Sequence, residues 1–345
     1  LGLLVMALAA PLVGHAIDRG HAPRTMRAGA LLAAITLLAS TAATSLIGLY
    51  LTWIALGLAM ALMLYEPAFG LVQRAIEDPV ERFRGLATVT IFGGLASTIC
   101  IPLIAMLVDA AGWRWTHGAL AMALLIGAVV METLAFPALR DHADSAQESD
   151  SITPVRPRVP WRVGAPFALS TLAAMALSAL LIATLIDRGQ SPTAAAYVLA
   201  LLGIMQLPGR LWVLSGRHGG SVATMLAGPL MLQAAGLAIV AISQGLPGVG
   251  IGVALFGVGA GWSTLARPMV IQALYGSAHA GSLNGSIARL QGFARAAGPL
   301  AAAAAYHAFG YATLFGTLAI LLAALAAVAA LIKPRSAVIA GSGQA

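Results

Sequence analysis

Three arginines in this 345-residue sequence lie within long apolar stretches, where a charged side chain is costly. A charge in the hydrocarbon interior of a membrane costs at least about 2.5 kcal/mol, so it rarely persists without a role. Arg267, Arg289 and Arg295 belong to the second half of the chain, and Glu66 is an acid in a comparable setting in the first half. A planar guanidinium matches the two oxygens of a carboxylate. These residue types favour recognition of a small organic anion.

Spacing along the predicted helices sorts the arginines by depth and by face. Arg295 lies about 18 Å into its helix, at about 1.5 Å per residue. Gln291 precedes it by four positions, so the two side chains share one polar stripe. Arg289 precedes Arg295 by six positions and faces elsewhere, where its long side chain can reach the boundary. The alternative is that these arginines bind backbone carbonyls or lipid headgroups as packing elements.

Glu66 and Arg267 occupy matching positions in the two halves of the sequence. Glu66 precedes Arg74 by eight residues and Arg267 precedes Tyr275 by eight, so both lie about 12 Å inside the same boundary. A salt bridge between them would join the halves in one conformational state. The alternative is that each charge is satisfied within its own half by backbone or water. Tyr65 is a further candidate to line a cavity between the halves.

The composition shows which elements must position these residues. Hydrophobic residues make up 60% of the chain and charged residues 9%, against about 25% charged in a soluble domain. A water-soluble fold is therefore excluded. At about 20 apolar residues per crossing, the apolar stretches predict an all-α integral membrane protein with eleven helices, near 1–16, 28–48, 51–74, 86–109, 116–136, 164–186, 192–213, 220–243, 248–274, 283–306 and 309–332.

Basic residues are distributed unequally between the two sides of this predicted topology. Fourteen, Arg210 among them, fall on one side, and only Arg114 and Arg188 fall on the other. Because cytoplasmic loops collect Lys and Arg, the first side is predicted to be cytoplasmic. The net charge of +7 then reflects topology and requires no nucleic acid. We expect a multi-pass protein surrounded by lipid in the plasma (inner) membrane.

Residues 138–162 divide the predicted helices into two bundles. Eight of these 25 residues are charged and three are prolines, which is typical of a flexible linker. The predicted organisation is an N-terminal bundle of five helices at 1–137, a C-terminal bundle of six at 163–332, and a cytoplasmic tail at 333–345.

Dipeptides that recur at offsets near 200 residues indicate parallel repeats. The helix at 164–186 has no partner in the first repeat, which predicts that the first of twelve helices is missing; the alternative is a genuine eleven-helix protein.

The loop after the first helix carries the most specific motif, Pro11-Leu-Val-Gly14-His-Ala-Ile-Asp18-Arg19-Gly20-His-Ala-Pro-Arg24. It resembles the loop between helices 2 and 3 of the major facilitator superfamily, where a glycine, an Asp-Arg pair and further basic residues recur. The resemblance implies a two-bundle secondary transporter that works by alternating access. In this interpretation Gly14, Asp18, Arg19 and Arg24 form a conformational latch.

The physical basis of the expected latch is close helix approach and charge pairing. Gly14 permits neighbouring helices to approach, and Asp18 is expected to pair with arginines on neighbouring helices. This copy departs from the usual pattern, because Gly20 follows Arg19 directly and Arg24 stands alone where two basic residues are common. In the second repeat Val213 stands where the aspartate would fall, so the latch is expected only in the first half.

A second resemblance concerns the branch within the superfamily. The run Arg82-Phe83-Arg84-Gly85-Leu86-Ala87, and the turn Gly112-Trp113-Arg114 that follows later, look like monocarboxylate-porter-like members. The Gly-Pro-x-x-Gly-Gly pattern of drug/proton antiporters and the helix 4 arginine of many proton-coupled members are absent. The resemblance implies a monocarboxylate-like substrate. A proton is a separate candidate as coupling ion, which the resemblance itself does not indicate. The alternatives are an exporter of hydrophobic or drug-like compounds and a non-transporting membrane receptor or scaffold.

Sequence motifs of catalysis are missing from the chain. It has no His-Glu-x-x-His, Cys-x-x-Cys, nucleophile elbow or phosphate-binding glycine loop. Without a Walker motif the chain cannot be an ATP-driven pump by itself. Its single cysteine, Cys100, excludes an internal disulfide and a thiol metal site. We therefore expect a protein that is not an enzyme and has no cofactor or metal.

Overall fold

The computed structural model describes residues 1–76, 78–137, 160–215, 221–276 and 280–332, and these residues are almost entirely helical. The predicted all-α class is therefore confirmed. A π-helical turn, Met131–Ala135, continues the fifth helix. The α-helices are α1 (Gly2–Asp18), α2 (Ala22–Ser40), α3 (Leu46–Met63), α4 (Tyr65–Ala75), α5 (Pro79–Val130), α6 (Trp161–Asp187), α7 (Pro192–Ile204), α8 (Gln206–Leu214), α9 (Val222–Ile242), α10 (Leu246–Tyr275) and α11 (Ala280–Ala330).

Backbone breaks divide several of these helices at positions that matter for the site. Gly112 in α5 and Gly310 in α11 have φ angles of 78° and 79°, which residues with a side chain rarely adopt. Each of these long helices is thus two helices joined at a glycine. The predicted helix at 51–74 is interrupted at Leu64, between α3 and α4, and the predicted helix at 192–213 is interrupted at Met205, between α7 and α8.

Seven helical segments in the described part of the chain are long and apolar enough to cross a membrane, and α1 is a shorter apolar helix. The eleven-helix count and the missing first helix stay predictions. The predicted tail at 333–345 lies outside the described residues. So does the predicted linker, apart from its last three residues, where α6 already begins at Trp161. The seven segments are Leu46–Gln73, Met106–Leu134, Trp161–Asp187, Pro192–Leu214, Val222–Ile242, Leu246–Tyr275 and Ala280–Ala330.

Close packing of α1 against α11 joins the first half of the chain to the second. A Cβ atom on Gly14 would lie 2.3 Å from the carbonyl oxygen of Gly281, and one on Gly285 would lie 2.4 Å from that of Ala10. Only a residue without a side chain fits at these crossings. We call the end of the molecule where α1 ends and α11 begins the Asp18 end.

Candidate functional site

A cavity of about 380 Å³ lies between the two halves of the molecule. Its walls come from α1, α3 and α4 in the first half and from α6, α8, α10 and α11 in the second. The lining therefore combines residues that are far apart in sequence. Its charged and large polar members are Tyr65, Glu66, Gln206, Arg210, Arg267, Gln291 and Arg295.

A buried salt bridge joins the two halves beside this cavity. Arg267 Nη2 donates to Glu66 Oε1 at 3.0 Å, and the two side chains are only 9% and 8% exposed. The break at Leu64 places Glu66 in the first turn of α4, where the helix dipole favours an anion. The pairing that the matched sequence positions suggested is therefore present.

The second nitrogen of the Arg267 guanidinium extends this bridge into a network. Arg267 Nη1 donates to Gln291 Oε1 at 2.8 Å, and Gln291 Nε2 donates to Thr171 Oγ1 at 2.9 Å. The network ties α4, α10, α11 and α6 together. Because protein side chains already engage both terminal nitrogens of Arg267, this arginine is held in place in the observed state.

Arg295 lines the same cavity one helical turn beyond Gln291. Within the described residues it forms no hydrogen bond and no salt bridge, although it lies within electrostatic range of Glu66, which attracts it, and of Arg267, which repels it. A guanidinium carries five N–H donors and no acceptor. Arg295 is thus a cation that an anionic ligand in the cavity would satisfy.

Arg210 belongs to the site although the charge distribution counts it with the cytoplasmic basic residues. The charge asymmetry groups it with the cytoplasmic loops, but the structure places it inside α8 and leaves it only 4% exposed. This position agrees with the predicted helix at 192–213, and α8 continues for four residues beyond Arg210, whose side chain reaches α5 of the first half. The sequence signal that could have identified Arg210 as a site residue is its spacing of four residues from Gln206, which puts both polar groups on one helix face.

The Arg210 side chain is oriented by contacts from both halves of the protein. Nη1 donates to the carbonyl oxygen of Thr90 in α5 at 2.7 Å, and Nη2 donates to Gln206 Oε1 at 3.1 Å. A Cβ atom on Gly94 would lie 2.0 Å from Nη1, so a glycine makes room for the guanidinium. Arg210 Nε is buried and has no hydrogen-bond partner among the residues described. The described contacts of Arg210 are therefore made by its two terminal nitrogens.

Tyr65 adds a hydroxyl group to the cavity. Its ring packs against Phe69 with a centroid distance of 5.3 Å. The hydroxyl lies within electrostatic range of both Arg210 and Arg295. The cavity thus brings Tyr65, Glu66, Arg267, Gln291 and Arg295 together, as the sequence suggested.

Arg289 is the proposed site residue that the structure does not bring to the cavity. It is exposed on α11 and does not line the cavity wall. The reason is helix geometry, because six residues correspond to about 240° of rotation from Arg295. Arg289 therefore does not belong to the described cavity.

The Asp18 carboxylate caps the N-terminus of α11. The amide nitrogens of Gly281 and Ser282 donate to Asp18 Oδ1 and Oδ2 at 2.7 and 2.8 Å, and the Ser282 hydroxyl also donates to Oδ2. A carboxylate at a helix N-terminus is stabilised by the helix dipole. Pairing of Asp18 with arginines stays a prediction, and these hydrogen bonds come from backbone and serine groups of the second half.

The remaining residues of the expected latch divide into packing and exposed positions. Gly14 lies where α1 meets α11, whereas Arg19 and Arg24 are exposed. Gly20 has a φ angle of 80°, so the turn between α1 and α2 accounts for the glycine directly after Arg19. Asp18 and Gly14 therefore carry the described contact between the halves at this end.

Two apolar helical halves around a charged central cavity define a multi-pass membrane transporter. The family model of the Major Facilitator Superfamily matches residues 1–299, and the chain belongs to that superfamily. The predicted resemblance to the superfamily is thereby confirmed, and its members are transporters and not generally enzymes. The monocarboxylate-porter-like branch remains a prediction.

Solved structures with the same fold include two transporters. The human organic anion transporter MFSD10 (TETRAN) is 18% identical, with a TM-score of 0.74 over 95% of this chain and 82% of that one. The proton:xylose symporter XylE, bound to 6-bromo-6-deoxy-D-glucose, is 13% identical, with a TM-score of 0.63 over 94% of this chain and 83% of that one. At these identities the similarity shows the fold. No curated protein sequence matches the chain significantly.

Proposed function

We propose that this transporter moves a small organic anion across the membrane by alternating access, as a facilitator or as a secondary active transporter. The observation that carries the proposal is the charge of the cavity, whose described lining contains three arginines, Arg210, Arg267 and Arg295, and one carboxylate, Glu66. Uncompensated cations at membrane depth are costly, and a bound carboxylate would compensate them with well-matched hydrogen bonds. The similarity to a human organic anion transporter supports this substrate class.

The contacts of each arginine assign it a different role. Arg295 is the principal ligand, because it has no partner among the described residues and lines the cavity. Arg210 is a second ligand held in a defined orientation by Thr90 and Gln206. Arg267 acts as a gate residue, because Glu66 and Gln291 already occupy its terminal nitrogens.

Among the described residues, two contacts hold the conformational state in which the Asp18 end is closed. One is the Asp18 cap on α11 and the other is the Glu66–Arg267 bridge. Opening this end separates the halves, so both contacts must break during a transport cycle. If a proton is coupled to transport, Glu66 is the acid in the cavity lining that could carry it. The predicted location is the plasma (inner) membrane, with the linker and tail in the cytoplasm.

Substitution of Arg295 tests the proposed substrate class. Removal of a charge-assisted partner costs about 1.5 to 3 kcal/mol, so Arg295→Gln should raise the dissociation constant of a carboxylate substrate about ten- to a hundredfold. The matched control is Arg289→Gln, which removes the same charge from an exposed position of α11 and should leave binding unchanged. A thermal-shift screen of organic anions on the purified protein identifies the ligand, and radiolabelled uptake into liposomes measures transport. If Arg295→Gln binds every ligand as tightly as the parent protein, the anion site is wrong.

Export of hydrophobic or drug-like compounds is a second candidate function. The cavity wall also contains Met6, Met60 and Met175, and methionine side chains adapt to ligands of irregular shape. Competition by neutral or cationic drugs, together with no competition by carboxylates, would favour this candidate. Absence of solute flux in liposomes would instead favour a receptor or scaffold.

A further inference from the structure

The charges that line the cavity indicate how many anionic groups the substrate carries. This inference rests on the proposed function. Among the described residues, the lining contains three guanidinium groups and one carboxylate, which leaves two positive charges in excess. Glu66 and Arg267 form a salt bridge with each other. The excess therefore resides on Arg210 and Arg295.

These two cations occupy separate points of the cavity wall. Arg210 extends from α8 and is anchored to the Thr90 carbonyl of α5, whereas Arg295 extends from α11. The Tyr65 hydroxyl is within electrostatic range of both. Because Arg210 is anchored, a single carboxylate bound at Arg295 would leave the Arg210 charge uncompensated. A second anionic group on the same molecule would compensate it.

We propose that the preferred substrate is a small dianion, such as a dicarboxylate, with one anionic group on Arg295 and the other on Arg210. The Tyr65 hydroxyl supplies a further hydrogen bond to the second group. Binding of the dianion brings the lining to electrical neutrality, whereas a monoanion leaves one positive charge. The monocarboxylate class implied by the sequence resemblance would then describe a weaker ligand.

Matched diacids and half-esters separate charge number from size. The probes are succinate, glutarate and adipate, each with its monomethyl and dimethyl ester, at about pH 7.5, where both carboxyl groups are ionised. Isothermal titration calorimetry of the purified protein in detergent measures the dissociation constants. We expect the best diacid to bind at least about tenfold more tightly than its monomethyl ester. The dimethyl esters should not bind measurably.

Variants assign the two anionic groups to their arginines. In Arg295→Gln the excess charge of the lining falls to one, so the preference for the diacid over its monomethyl ester should shrink to about twofold or less. Arg210→Gln should do the same, but Arg210 also ties α8 to α5, so Arg295→Gln is the decisive variant. Arg289→Gln should retain the full preference, because this exposed residue does not line the cavity.

The possible results distinguish this inference from the proposed function. Half-esters that bind as tightly as the diacids would overturn the dianion assignment and leave anion transport intact. A preference that persists unchanged in Arg295→Gln would overturn the placement of an anionic group on Arg295. Failure of every monoanion and dianion to bind would overturn the proposed function, and the dianion assignment with it.

Discussion

The buried bridge between Glu66 and Arg267 allows a double-mutant test of how the two halves are held together. The substitutions are Glu66→Gln, Arg267→Gln and the two combined. Glu66→Gln keeps the shape of the side chain and Arg267→Gln shortens it, and each removes one charge of a pair whose atoms lie 3.0 Å apart. The combined change removes both charges. If the gate depends on charge pairing, the double variant should therefore lose less stability and less transport activity than the losses of the two single variants added together.

The burial of the pair sets the size of the expected effect. With side chains only 9% and 8% exposed, loss of one partner strands the other charge and costs about 3 to 5 kcal/mol. In Glu66→Gln the stranded Arg267 keeps its hydrogen bond to Gln291. The loss of stability in this variant should therefore lie near the lower end of this range, at about 3 kcal/mol. At about 2 °C per kcal/mol for a chain of this size, each single change should lower the Tm by about 6 to 10 °C. The decrease in Tm of the double variant should be at most half of the two single decreases added together.

Two measurements report the coupling. Thermal unfolding of the purified protein in detergent gives the Tm of each variant, and substrate uptake into liposomes gives the transport rate. Both quantities should be non-additive, because each depends on the same contact between the halves. The affinity for the anion, measured separately, should change less than the transport rate, since Arg267 is assigned to the gate.

An exposed ion pair provides the matched control. Glu81 and Arg84 are 2.6 Å apart, with side chains 57% and 66% exposed, and such pairs contribute about 0 to 1 kcal/mol. The same three glutamine variants at these positions should change the Tm by at most about 2 °C. If the Glu66 and Arg267 variants behave like this control, or if their double variant equals the sum of the singles, the gate reasoning is refuted. Arg267 would then be a candidate substrate ligand.

Three further predictions concern the Asp18 end and the topology. Asp18→Asn weakens the cap on α11 by about 0.5 to 2 kcal/mol, so the transport rate should fall while the dissociation constant stays constant; an unchanged rate would contradict the latch. Gly14→Ala places a Cβ 2.3 Å from the backbone of α11 and should lower the Tm, whereas Gly127→Ala, with no described atom within 4 Å outside its own helix backbone and chain neighbours, should not. In a cysteine-free background, Asp150→Cys and Gly245→Cys should react with an impermeant maleimide from opposite sides of the membrane, and labelling from one side would exclude the predicted topology.

The sequence alone determined the class of protein and much of the candidate site. Hydrophobicity over about 20 residues is a local property, and in lipid a helix satisfies its own backbone, so apolar stretches predict helices directly. The same reasoning marks Glu66, Arg267 and Arg295 as charges at membrane depth. The loop motif around Asp18 was likewise sufficient to indicate the superfamily.

The tertiary structure decided which of these charges meet and which remain unpaired. Asp18 finds its partners 263 and 264 residues later in the sequence, and Arg210 donates to a carbonyl oxygen 120 residues earlier. A charge count groups Arg210 with the cytoplasmic cations, because such a count records position along the chain and not the direction in which a helix packs. Helix packing depends on the fit of small residues at crossings such as Gly14 and Gly281. That fit, which no local pattern encodes, places three guanidinium groups and one carboxylate around a single cavity.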